Sequence, residues 1–203
     1  MKAEPLVFDG TAFNSVSVVD TLVSARGTGR RWSTQKPLAF WRVFAEMDLS
    51  SSFNVEMFAG RYGDPTGALP GQSYLPSWRK VQELLQVPAT AWDPVDDRGI
   101  SHVTVDTTRI TLSKSFGISH RAEGELTIWD VNPVIDLKTY NTFHRARSLD
   151  AFMLFSAYRQ LRDRTPMRRC VECGHWFDAS HARARFCSNA CNIKASLRRK
   201  GEI

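Results

Sequence analysis

The chain has 203 residues, 42% of them hydrophobic and 24% charged, with a formal net charge of +6. It is long enough to bury a sizeable core. It has nothing near the roughly 18 consecutive apolar residues of a membrane span, Ala151 to Phe155 being about its longest strongly apolar run. Its N-terminus lacks the apolar region of a signal peptide, so the expectation is a cytoplasmic protein without membrane attachment.

In chain order, Leu6–Phe8 and Ser15–Val19 read as short strands or as the start of a helix running toward Ser24. Arg26–Arg31 is a loop. Pro37–Met47 is a helix, with Leu38, Trp41, Phe44 and Ala45 on one face. Four glycines and two prolines make Ala59–Leu75 a long loop. Ser77 caps a helix over Trp78–Gln86, which Pro88 ends. Residues 88–100 are an irregular acidic connection. The period then changes to two: Val103 and Val105, Ile110 and Leu112, and Leu126 and Ile128 alternate with polar residues as strands, with turns at Asp106–Thr108 and Glu123–Gly124. Ser148 caps the longest helix, which runs to about Arg164 and is stopped by Pro166. Its first half is apolar all round and belongs in the core. Its second half carries Arg159, Arg162 and Arg164, which places it at the surface beside the C-terminal segment. The scattered tryptophans Trp32, Trp41, Trp78, Trp92 and Trp129 have no stacking-platform spacing and are expected to be core.

The C-terminal segment holds the most specific signal in the chain. All four cysteines lie there, as Cys170, Cys173, Cys187 and Cys191, in the spacing C-x2-C-x13-C-x3-C. Two close pairs joined by a loop can set four thiolates around one Zn²⁺ at about 2.3 Å. Two disulfides are the competing reading, and they require an oxidising compartment. Iron also accepts four sulfurs, but the x3 spacing of the second pair suits a helical turn better than a second knuckle. Cys170–Gly174 reads as a knuckle, with Gly174 allowing the tight turn. Trp176–Phe177 and Arg185–Phe186 read as short strands flanking a polar loop. Ser188 caps a final helix stopped by Gly201, with Cys191 in its first turn. His175 and His181 are read as loop residues, since four cysteines suffice as ligands. The expected architecture is an α+β domain over residues 1–165 followed by a treble-clef-like four-cysteine zinc finger over residues 166–203, with one structural Zn²⁺.

These residues resemble the CGNR-type zinc finger. The likeness lies in Cys170-Val-Glu-Cys-Gly-His-Trp-Phe-Asp178, then Arg185-Phe-Cys-Ser-Asn-Ala-Cys191, then a basic helix. In that family the finger ends a bacterial chain of similar length, behind a larger domain called ABATE, and the proteins are described as transcriptional regulators. The resemblance implies that Cys170, Cys173, Cys187 and Cys191 hold zinc, that Trp176 and Phe177 support the site, and that Arg185 and Phe186 match the basic-aromatic pair before the third ligand. It covers about 35 of the 203 residues. The name-giving tetrapeptide is altered: this chain has Cys191-Asn192-Ile193-Lys194 where the family has Cys-Gly-Asn-Arg.

Charge gives an independent pointer. From Arg159 onward there are 11 Lys and Arg against 4 Asp and Glu, whereas residues 1–158 hold 16 against 17. A basic module on a near-neutral body is the footprint of a nucleic-acid binder. DNA is the expected partner, met by Arg183, Lys194, Arg198, Arg199 and Lys200, with Ser188, Asn189 and Asn192 as hydrogen-bonding groups. Arg169 and Arg185, near the ligands, are alternatively counter-charges for the thiolates. A single finger makes few base contacts, which favours a homodimer, and the first domain is expected to dimerise or to sense a small-molecule effector. The alternative is a non-enzymatic protein-interaction module in which the finger docks a partner or caps the body. No enzyme is expected: the chain has no P-loop, GxSxG or HExxH motif, and four cysteines would leave a nuclease-type metal no open position for water.

Overall fold

The computed structural model describes residues 4–104, 118–119, 127–128, 130–139, 141–181 and 183–201. The fold is mixed α/β with several small sheets. The chain opens with β1 (Leu6–Ala12), β2 (Ser15–Val19), β3 (Leu22–Arg26) and β4 (Arg30–Thr34). The alternative of a helix toward Ser24 is thereby excluded, because Asp20, at φ 54°, turns β2 back onto β3 as an antiparallel hairpin. Next come α1 (Phe40–Ala45), α2 (Ser52–Arg61), β5 (Gln72–Tyr74) and α3 (Leu75–Ala89). The middle holds β6 (Ile100–Ser101), β7 (Ile118–Ser119), β8 (Thr127–Ile128), β9 (Val131–Ile135) and β10 (Thr142–Ala146). The chain ends with α4 (Leu149–Arg162), β11 (Met167–Arg169), β12 (Trp176–Asp178) and α5 (Asn189–Lys200).

The largest sheet has the order β4-β1-β10-β9, with β1 parallel to β10 and the other pairs antiparallel. Leu6, Phe8, Gly10 and Ala12 alternate inward along β1, the period-two pattern of a half-buried strand. Phe8 stacks on Phe152 of α4, with ring centroids 4.9 Å apart. The core then runs through Phe40, Trp41, Phe44, Phe58, Trp78 and Met153, all nearly inaccessible. Its indole N–H groups are satisfied, as buried ones must be. Trp41 donates to Gln160 at 2.7 Å, Trp78 to Ser73 at 2.8 Å and Trp92 to the Thr165 carbonyl at 3.0 Å.

Several elements differ from the sequence expectation. α1 is shorter than Pro37–Met47: its N-cap is Ala39, whose methyl cannot accept from the backbone, and its C-cap is Glu46. α2 occupies residues the sequence leaves unassigned and the first part of the supposed loop. Ser51 caps it by accepting from the Asn54 N–H, and Val55, Phe58 and Ala59 bury one face. α3 begins at Leu75 rather than after Ser77, with a proline in its first turn, where a missing N–H costs nothing. It also runs through Pro88, which sits in its last turn with its ring buried. Ser148 is the N-cap of α4, but its hydroxyl donates to Asp130 at 3.1 Å and does not cap the backbone. Val103 forms a bridge with Trp92, and Ile128 lies in β8. The strand positions Val105, Ile110, Leu112 and Leu126, the turns at 106–108 and 123–124, and Trp129 lie outside the described residues. No helix of the described residues is long and apolar enough to cross a membrane.

The end of the chain joins the body through β11. This strand pairs antiparallel with both β12 and β6, making a sheet of order β12-β11-β6. Met167 and Trp176 belong to the main core.

Candidate metal centre

The first two cysteines sit on the loop of the β11–β12 hairpin. The Cys170 N–H donates to the His175 carbonyl and the Gly174 N–H to the Cys170 carbonyl, both at 2.8 Å. Gly174 has φ +70°, the left-handed conformation that the turn needs. The second pair is set by α5. Ser188 caps the helix by accepting from the Cys191 N–H at 3.3 Å, so Cys187 precedes the cap and Cys191 falls in the first turn. Gly201, at φ 72°, closes the helix. Two bonds hold the pairs together: the Val171 N–H donates to the Arg185 carbonyl at 3.1 Å, and Arg168 to the Ala184 carbonyl at 2.9 Å. Residues 185–186 therefore lie against the knuckle without forming the expected strand, and the partner of β12 is β11.

The four Sγ atoms lie within 4.8 Å of one another. Cys173 to Cys187 and Cys187 to Cys191 are both 3.6 Å. A disulfide would need about 2.05 Å, whereas sulfurs at the corners of a tetrahedral site with 2.3 Å bonds stand about 3.8 Å apart. The cluster fits a metal ion held by all four cysteines, and among the described residues it is the only such group. Cys170 is buried and the other three are partly exposed. Burial opposes ionisation of Cys170, but backbone N–H groups of Cys187, Cys173 and Glu172 outweigh it and bring the thiol down to about 7. Burial pushes Cys173 and Cys187 up, so without a cation the cluster resists holding four negative charges.

One cation that contacts the sulfurs comes from the body. Arg61, at the end of α2, lies against Cys173; burial works against its charge, but Tyr62 and the Cys173 and Cys187 sulfurs favour it more and raise its pKa. It also donates to His175 Nδ1 at 2.7 Å. A guanidinium can only donate, so Nδ1 is the acceptor in this contact; burial and Arg61 together lower the His175 pKa. His175 is thus a neighbour of the site and not a ligand, and His181 is an exposed loop residue. Arg169 pairs instead with Glu46, the C-cap residue of α1, at 2.6 Å. Glu46 also accepts from Trp176 Nε1 at 2.7 Å and from Arg42 at 3.0 Å, and Arg42 lies over the Trp176 ring at 3.8 Å. Sequence reasoning missed Arg61, Arg42 and Glu46. The spacing of Phe58, Tyr62 and Arg61 within a helix was the one local signal, and it was obscured by the glycines beyond it.

The cationic residues are dispersed. Lys194 and Arg198 turn back to Glu172 on the knuckle, at 3.9 and 3.2 Å. Arg199 donates to the Ala195 carbonyl of its own helix. Lys200 is exposed at the helix end, and Arg183 lies at the other end, on a depression shared with Arg185, Phe186, Ser188, Asn189 and Asn192. Phe177 is half-buried on β12.

No family model, curated protein or solved structure matches the chain.

Proposed function

We propose that the protein is a DNA-binding transcriptional regulator whose C-terminal module is held by one structural Zn²⁺. The observation that carries the reading is the geometry of the four sulfurs between the knuckle and the start of α5, together with the cationic character of that helix, no residue of which is buried. Four thiolates complete a tetrahedral zinc shell, so zinc in this reading is structural, with no open position for chemistry at the metal. The metal fixes the knuckle to the first turn of α5. Arg199 and Lys200 then face phosphates at one end. Arg183 does so at the other, beside the N-terminal N–H groups of the helix, which favour anions. Lys194 and Arg198 contribute less than their formal charge, since Glu172 neutralises part of it.

The test is fluorescence anisotropy of metal-loaded protein with labelled duplex DNA across a salt series. Log affinity should fall against log salt with a slope of about −0.9 per phosphate neutralised. Changing Arg183, Arg199 and Lys200 to Ala should shrink that slope. Absence of binding at low salt would overturn the reading.

A second reading has its own observation. Val171 on the knuckle and Ile193 on α5 are 60% and 51% exposed, and two of the cations are already paired. A protein partner docked on this apolar surface would bind with little salt dependence, which separates the two readings in the same titration.

A further inference from the structure

A groove of about 510 Å³ lies between α2 and the knuckle, within the range of about 300–1,000 Å³ usual for small-molecule sites. Its apolar side is built by Val43, Met47, Phe53, Met57 and Phe58. Phe53 and Met57 are one helical turn apart and stay 68% and 57% exposed, an unusual state for two large apolar side chains flanking one cleft.

Polar groups gather at the knuckle end, and they are unequally engaged. Glu46 is fully used: Oε1 accepts from Arg42, and Oε2 from Arg169 and Trp176. At the far end Asp48 accepts through Oδ1 from the N–H and hydroxyl of Ser50. Arg61, which also lines the groove, has no carboxylate partner among the described residues. It meets Nδ1 of His175 and the sulfur of Cys173. A guanidinium carries five N–H donors in a planar fork, so these contacts leave donors for a second anion.

We propose that this groove binds a small amphipathic carboxylate, with its aromatic or aliphatic part against Met47, Phe53 and Met57 and its carboxylate on Arg61. The same guanidinium lies on Cys173, so an occupant draws part of that cation away from the sulfur cluster. Ligand and metal centre are thereby linked through one side chain. This deepens the regulator reading by giving the protein an effector site where α2 meets the knuckle. Its test uses no DNA, so failure of one reading is distinguishable from failure of the other.

The experiment is a titration of the metal-loaded full chain, labelled with ¹⁵N-tryptophan, with 1-naphthoate and with its neutral counterpart 1-naphthamide. The reporter is the Trp176 indole N–H, assigned by its loss in Trp176→Phe. A saturable shift with naphthoate is expected, with naphthamide binding about tenfold more weakly, the worth of one charge-assisted hydrogen bond. Arg61→Gln should weaken naphthoate to the level of naphthamide and leave naphthamide unchanged. Should Arg61→Gln lose metal, the pair Phe53→Ser and Met57→Ser tests the apolar wall and should weaken both compounds by about tenfold. No saturable shift at millimolar concentration, or equal binding of acid and amide, overturns the proposal.

Discussion

Glu46 shows how a few residues tie the cysteine hairpin to the body. It holds three donors: Arg42 and Arg169 by ion pairs, and the Trp176 indole by a hydrogen bond. Arg42 is 6% exposed, so it cannot turn to water when its partner is removed. Glu46→Gln should therefore destabilise the fold, by about 2 kcal/mol rather than the 3–5 of a fully buried pair, because the Glu46 side chain is itself 34% exposed. The check is a urea titration, in which the midpoint should fall with an unchanged slope. At the cysteines the expectation is stronger. Cys187→Ser combined with Cys191→Ser should abolish binding of one metal equivalent and unfold α5, read by metal analysis and helical circular dichroism. Retention of stoichiometric metal would refute the four-sulfur site.

Among the elements, α2 and α5 are positioned by opposite means. α2 is anchored by burial and by its exit. Gly63 lies just beyond it at φ +105°, and a Cβ there would stand 2.2 Å from the Thr11 carbonyl oxygen of β1. Gly63→Ala should cost about 3 kcal/mol through strain and overlap, visible as a lowered melting temperature, and it should shift Arg61 away from Cys173. α5 buries no residue. Its attachments are the two cysteines, the bonds of Val171 to Arg185 and of Arg168 to Ala184 just before it, and the ion pairs of Lys194 and Arg198 to Glu172, whose side chain is 6% exposed. Glu172→Gln should leave the body intact but speed metal release to a chelator several-fold, monitored by a chromogenic metal indicator. Unchanged release would mean that the sulfurs alone hold α5. α5 was legible in the sequence because its cap, ligand spacing and glycine stop are all local. α2 was not, since its apolar face is short and the chain beyond it reads as turns. β9 and β10 were missed for a related reason: their half-buried residues gain meaning only from pairing within the β1 sheet.

For the whole molecule, the shared core decides how far metal loss propagates. Met167 and Trp176 lie among the main core residues, and β11 bonds to β6. Binding energy for a structural metal is folding energy. Chelation should therefore unfold α5 and the knuckle and also lower the melting temperature of the rest, with the Trp176 indole signal moving first. A body transition insensitive to chelation would show that the two parts fold independently. Acidification acts in the same direction, because protons compete with metal for the thiolates.

Spacing and composition within a few turns of chain were enough to establish the four candidate metal ligands, the capping of α5, the buried first half of α4 and the concentration of positive charge near the C-terminus. Which groups surround the sulfurs was settled by long-range packing. Arg61 stands 112 residues before Cys173 in the chain. Arg169, an expected counter-charge of the thiolates, is drawn to Glu46 instead, and Lys194, expected to meet phosphate, reaches back to Glu172. Ion pairing depends on distance in space, so the packing of α1 and α2 against the β11–β12 hairpin selects among cations that are equivalent in the unfolded chain.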